Sequence, residues 1–132
     1  MKRFIKRRIR VIRRIFRLRG LGESLSLAVK GIVYLVLYHR NMRIIFMSGV
    51  AAILCGFIFK LRGIEVVALS VTVTLVFMAE IFNTAIELLM DMLHEDYHVK
   101  IKVIKDIAAA VVLLTALNAL AVGYVLFVRK MF

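Results

Sequence analysis

The chain has 132 residues, 63% of them hydrophobic, yet it carries 20 Lys+Arg against 8 Asp+Glu for a net charge of +12. A mean hydropathy of +0.93 exceeds what one small domain can hide from water, so a soluble globule is excluded and a membrane protein with its charges gathered at the ends is expected. One cysteine, Cys55, excludes an intramolecular disulfide framework, and the absence of proline with only 7 glycines argues against an all-β fold and leaves helices.

Residues 1–19, MKRFIKRRIRVIRRIFRLR, hold 10 of the basic residues and no acid. At about 100° per residue, Phe4, Ile5, Ile9, Val11, Ile12, Ile15, Phe16 and Leu18 share one half of a helical wheel and Lys2, Arg3, Lys6, Arg7, Arg10, Arg13, Arg14 and Arg17 the other, with only Arg8 and Arg19 straying onto the apolar side. We assign residues 1–22 to a basic amphipathic helix lying on anionic lipid headgroups, ended by Gly20 and Gly22. A solvated tail is the alternative. Nucleic acid is not the expected partner, because the charges alternate with large aliphatics and no accompanying fold motif is present. No apolar segment with a small-residue cleavage site follows, so a cleaved signal is not expected.

Residues 23–132 read as a membrane domain. The segment 24–38, SLSLAVKGIVYLVLY, reads as a second amphipathic or interfacial helix with Ser24 or Ser26 as its cap. Three spans are expected, near 44–60, 65–90 and 107–128. The first is bracketed by Arg43 and Lys60, and Cys55 within it reads as a small buried hydrophobe. The segment 94–106 between the second and third spans is expected to be a loop. Sixteen of the basic residues fall on the side of residues 1–43 and of Lys100, Lys102 and Lys105. The positive-inside rule then places the N-terminus and the 91–106 segment of this multi-pass protein in the cytoplasm and its C-terminus outside.

The second span carries Glu80, Asn83, Thr84, Glu87 and Asp91 on one helical stripe. A carboxylate at the bilayer centre costs about 2.5 kcal/mol or more, so a structural accident is a poor explanation for Glu80 and Glu87. Asn83 and Thr84 also suit interhelical hydrogen bonds, and Asp91 also suits the aqueous edge. Two acids one or two turns apart fit a hard cation such as Mg²⁺, or a division in which one holds metal and the other accepts a proton. Beyond the span, Lys100, Lys102 and Lys105 can neutralise phosphate, and Asp106 stands beside the small residues Ala108, Ala109 and Ala110. His94 and His98 fit a solvated loop better than a metal site, since no third ligand is obvious. No soluble-type phosphate loop or dinucleotide fingerprint is present. Acids in the membrane facing lysines in a loop would still hold a metal polyphosphate between them.

Residues 80–114, EIFNTAIELLMDMLHEDYHVKIKVIKDIAAAVVLL, resemble the signature of the small bacterial integral-membrane lipid kinases, the diacylglycerol kinase and undecaprenol kinase family. With Lys30-Gly31 and the segment 40–44, RNMRI, the likeness covers roughly residues 25–128 and leaves the basic N-terminus outside. The resemblance implies an all-α membrane protein assembled as a homotrimer with shared cytoplasmic active sites. It also implies ATP as phosphoryl donor, Mg²⁺ as cofactor and a membrane lipid as substrate. By matched position Glu80 would be the general base, and Asn83 and Glu87 would engage ATP phosphates and Mg²⁺. Asp91 would support the nucleotide, and Lys105 with Asp106 would close over the phosphates. The segment Asn83-Thr84-Ala85-Ile86-Glu87 is similar to the Gram-positive-type branch, which places undecaprenol ahead of diacylglycerol.

One position departs from the pattern. Family members commonly have a metal-binding Glu where this chain has His39, in His39-Arg40-Asn41-Met42-Arg43. Imidazole is a poor Mg²⁺ ligand, and imidazolium repels the ion. Three readings stay open: His39 engages phosphate, water or another carboxylate completes the metal shell, or the chain is a weakened or non-catalytic member acting as an anionic-lipid-binding trimeric module. A proton or cation path along Glu80, Glu87 and Asp91 is a further alternative.

Overall fold

Long apolar runs without proline satisfy their backbone hydrogen bonds most simply as helices, and in lipid they must satisfy them internally. The computed structural model describes residues 20–93 and 99–132. The basic helix expected over residues 1–19, and the loop residues His94 and His98, lie outside the described residues. Among the described residues the elements are helices: α1 (Leu21–Tyr38), α2 (Arg40–Ile58), α3 (Ile64–Leu93) and α4 (Val99–Gly123), then a π-helical turn (Tyr124–Val128) and a last turn, α5 (Arg129–Met131).

The chain divides into two units between Tyr34 and Leu35. Helix α1 begins at Leu21, not at a serine cap. The Gly20 carbonyl accepts the N–H groups of Glu23 at 2.9 Å and Ser24 at 3.1 Å, so Gly20 starts the helix while Gly22, Ser24 and Ser26 lie inside it. Glycine is an acceptable N-cap, and Glu23 in the first turn suits the positive helix end. With 18 residues and a hydropathy of 1.4, α1 is long and apolar enough to cross a membrane. Among the described residues four helices therefore meet that criterion, where three spans were expected.

In the second unit α2 starts at Arg40, four residues before the expected span, after His39 in an extended conformation (φ −111°, ψ 117°). It ends in a tight cap. The Leu61 N–H donates to Gly56 O at 3.0 Å and the Lys60 N–H to Phe57 O at 3.1 Å, the bond pair of a Schellman motif. Lys60 occupies its left-handed position with φ 52°, where glycine is the usual residue. Leu61 then buries its side chain. Close packing of α2 on α3 depends on two glycines: a Cβ on Gly49 would come within 2.8 Å of Phe77 Cε2, and one on Gly56 within 2.9 Å of Leu69 Cδ2.

Helix α3 has 30 residues, about 45 Å at 1.5 Å per residue. It packs against α2 and, more extensively, against α4. The apolar core sits near its N-terminal end. Leu61, Leu69 and Leu126 are buried together, flanked by Phe59, Val73 and Phe127, and the Phe59 and Phe127 rings meet at 5.5 Å in an edge contact. At the same end Lys130 Nζ donates to Glu65 Oε2 at 2.8 Å.

Helix α4 begins at Val99, so Lys100, Lys102, Lys105 and Asp106 ride on its first two turns and not in the loop expected for 94–106. The apolar span from Ile107 simply continues the hydrogen-bond ladder of these turns, and in a membrane-edge helix the lysine heads reach water while their stems lie along the helix.

Candidate functional site

The protein-facing side of α3 is apolar in its first half and polar in its second. Leu69, Thr72 and Ala79 are buried along it, followed by Glu80, Asn83 and Thr84. This spacing of three, four and seven residues is one helical face, so the stripe visible in the sequence is the face that packs on protein. Glu80 is 3% exposed, Asn83 6% and Thr84 2%. Glu87 is half-buried and Asp91 exposed, so the stripe runs from a closed interior to the surface over about three turns.

Hydrogen bonds join part of it. Asn83 Nδ2 donates to Glu87 Oε1 at 3.2 Å, an i to i+4 contact that fixes the amide. Its Oδ1 is buried without a hydrogen-bond partner. A buried acceptor left unpaired costs on the order of 1–3 kcal/mol, which a ligand donor or a cation beside Asn83 would remove. Lys105, from the second turn of α4, pairs through Nζ with Asp91 Oδ1. That contact bridges fourteen residues and was not legible in the sequence, where Lys105 and Asp91 read as separate nucleotide contacts. Asp106 is exposed and Ala108, one turn beyond Lys105, is buried. His39 is half-buried, and it and Glu87 both lie close enough to Glu80 for their charges to act on it. Sequence reasoning missed Met42, which is fully buried one turn past His39; its one signal is an apolar residue standing between Arg40 and Arg43.

The described residues include no group of three or more His, Cys, Asp or Glu side chains able to hold a metal. What they offer is carboxylate and amide oxygen from Glu87 and Asn83, with Glu80 two turns back. Mg²⁺ commonly takes one or two carboxylates and completes its octahedron with water and substrate phosphates, so this donor set fits in kind. His39 does not fit a hard cation.

The family model for prokaryotic diacylglycerol kinase matches residues 26–127. The chain belongs to the prokaryotic diacylglycerol kinase family. Among curated members, a diacylglycerol kinase of Synechocystis is 39% identical over 101 residues, 76% of this chain and 58% of that protein. An undecaprenol kinase of Bacillus subtilis is 30% identical over 109 residues, 83% of this chain and 89% of that protein. The chain thus spans under two thirds of the first relative's length and most of the second's. For this member of the diacylglycerol kinase family, the matched region takes in His39, the whole α3 stripe, and Lys105 with Asp106.

Proposed function

We propose that this protein is an ATP- and Mg²⁺-dependent kinase that phosphorylates the hydroxyl of a membrane lipid, undecaprenol or diacylglycerol. The observation that carries the proposal is Glu80: a carboxylate 3% exposed in a membrane helix, one turn from an amide oxygen that lacks a partner. A lone structural acid would be expensive there, whereas an acid that accepts the proton of a lipid hydroxyl has a reason to stand inside the membrane.

In this reading the lipid hydroxyl lies against Glu80, whose carboxylate takes its proton as the alcohol oxygen bonds to the γ-phosphorus and the bond to the β-phosphate oxygen breaks. Asn83 holds Glu87 in orientation and keeps Oδ1 free for the polyphosphate complex. Glu87 is the carboxylate for the metal. Asp91 and Lys105 lie at the surface end, where Lys105 can exchange its ion pair for phosphate oxygen, and Asp106 flanks it. Mg²⁺, held by Glu87 with phosphate and water, would neutralise charge on the transferring group. His39 would act on phosphate oxygens, not on the metal.

The wider arrangement rests on the charge distribution for its orientation and on the family likeness for its membrane and its assembly. The protein is a multi-pass protein of the bacterial inner membrane with a cytoplasmic N-terminus and an external C-terminus, α1 interfacial and α2, α3 and α4 spanning. It assembles as a homotrimer, and its basic N-terminus holds anionic lipid headgroups. His39 in place of the family's usual Glu favours a second reading, a weakened or non-catalytic member serving as an anionic-lipid-binding trimeric module.

The deciding experiment supplies purified protein in lipid nanodiscs with γ-labelled ATP, Mg²⁺ and either undecaprenol or diacylglycerol. Label transfer to one alcohol, abolished by Glu80→Gln, is expected. No transfer to either, where the Bacillus subtilis undecaprenol kinase is active in the same assay, would overturn the kinase reading and favour the second.

A further inference from the structure

At the end of α3 remote from the Glu80 stripe, α2 and α3 enclose a groove of about 370 Å³ whose lining includes Ile53, Phe57, Lys60, Val66, Leu69 and Val73. Its size falls within the usual range of ligand sites. Phe57 is 76% exposed, and Val66 and Ile53 are also exposed, so the groove opens towards the surrounding lipid. Its lining has one charged side chain, Lys60, and no acid.

Three facts set Lys60 apart. It stands at the left-handed position of the α2 cap, φ 52°, where glycine would relax the backbone. It makes no ion pair among the described residues, while the one acid near it in sequence, Glu65, is occupied by Lys130 Nζ and by the Arg62 N–H at 3.2 Å. Arg62, two residues on, is exposed and adds to the uncompensated positive charge. An apolar trough with an unneutralised cation at its rim, at the end of a membrane helix, has the polarity pattern of a phospholipid.

We propose that this groove binds one anionic phospholipid of the surrounding bilayer, its chain along Ile53, Phe57, Val66 and Val73 and its phosphate on Lys60. The site is separate from the Glu80 stripe and does not depend on the proposed reaction. Charge complementarity selects the occupant. A zwitterionic lipid would fill the trough equally but brings its own cation to Lys60, and a second copy of the chain would have to present an acid there.

The chain contains no tryptophan, so Phe57→Trp in the full-length protein places a single indole fluorophore in the groove. Reconstituted with phospholipids brominated in the chain, the introduced indole reports only tails at this place and not lipid held by the basic N-terminus. Brominated phosphatidylglycerol is expected to quench with roughly fivefold higher apparent affinity than brominated phosphatidylcholine, the preference one lysine near a membrane surface gives. Adding Lys60→Gly should erase that preference, and Lys60→Arg should keep it. Because glycine suits the backbone at position 60, loss of preference in the first variant does not reflect unfolding. Equal quenching by the two lipids with Lys60 in place would mean ordinary bilayer contact. Shielding from both would mean that protein fills the groove, and either result overturns the proposal.

Discussion

Glu80 and Asp91 stand three turns apart on one helix face and face opposite physical problems. Glu80 is closed off from water, so replacing it with glutamine keeps shape and removes proton acceptance. Glu80→Gln is expected to lower turnover by about 10²- to 10⁴-fold while leaving nucleotide affinity, measured by equilibrium binding, near its original value. Equal losses in both would make Glu80 a ligand and not a base. Asp91 is exposed and paired with Lys105. An ion pair of that kind contributes roughly 0–1 kcal/mol to stability, so Lys105→Met should shift the melting free energy by less than about 1 kcal/mol and still raise the KM for ATP. His39 is the third test at this scale. A carboxylate at position 39 supplies a hard donor, and His39→Glu is expected to lower the Mg²⁺ concentration for half-maximal activity by roughly tenfold, in the range that groups around a metal site command. Titration of activity against Mg²⁺ measures it directly.

At the scale of elements, the α2–α3 contact is set by what is missing from two positions. Gly49 and Gly56 let backbone approach Phe77 and Leu69 so closely that even a Cβ meets ring or methyl carbon under 3.0 Å. Gly49→Leu or Gly56→Leu must push the helices apart, costing about 1–3 kcal/mol as overpacking does, read as a lower unfolding temperature in detergent. The cap at the end of α2 predicts the opposite sign. Lys60→Gly removes a left-handed β-carbon and should stabilise the protein by about 1 kcal/mol. The π turn Tyr124–Val128 inserts extra backbone into the end of α4. Past its start Leu126 is buried, Phe127 meets Phe59 and Lys130 reaches Glu65. These contacts clamp the end of the bundle opposite the Glu80 stripe, while the Asp91 and Lys105 pair joins α3 to α4 at the other.

For the whole molecule, the notable quantity is the apolar surface it leaves uncovered: Phe57, Phe82, Leu114 and Leu120 are each more than half exposed. Patches of this kind are lipid-facing or covered by other chains, which agrees with a membrane protein. Whether α1 crosses or lies flat decides the topology of everything after it. With Cys55 replaced by alanine and single cysteines placed at Gly20, Asn41, Arg62 and Phe132, a membrane-impermeant thiol reagent is expected to label positions 20 and 41 from one side and 62 and 132 from the other. Labelling of 20 and 41 from opposite sides would make α1 a fourth span.

Residue order alone dictates the helices, the membrane as their solvent, the face of α3 that carries the acids, and the family. The first three follow from composition and from the 3.6-residue period, which are properties of neighbours along the chain, and the family from the likeness of residues 80–114 to its signature. It also marks His39 as the departure from pattern, because that is a matter of one residue's identity. Boundaries were less legible: α1 starts on Gly20 instead of a serine, and the lysines from Lys100 onward belong to a helix and not a loop, since a helix extends wherever its backbone ladder can and side-chain polarity does not stop it. Folding in three dimensions is what joined Asp91 to Lys105 and Glu65 to Lys130, left Asn83 Oδ1 without a partner, and put Lys60 on the rim of an apolar groove. Each of these depends on residues brought together from separate helices or on the local geometry of a cap, and the energies that decide them come from packing across space, for which spacing along the chain carries no record.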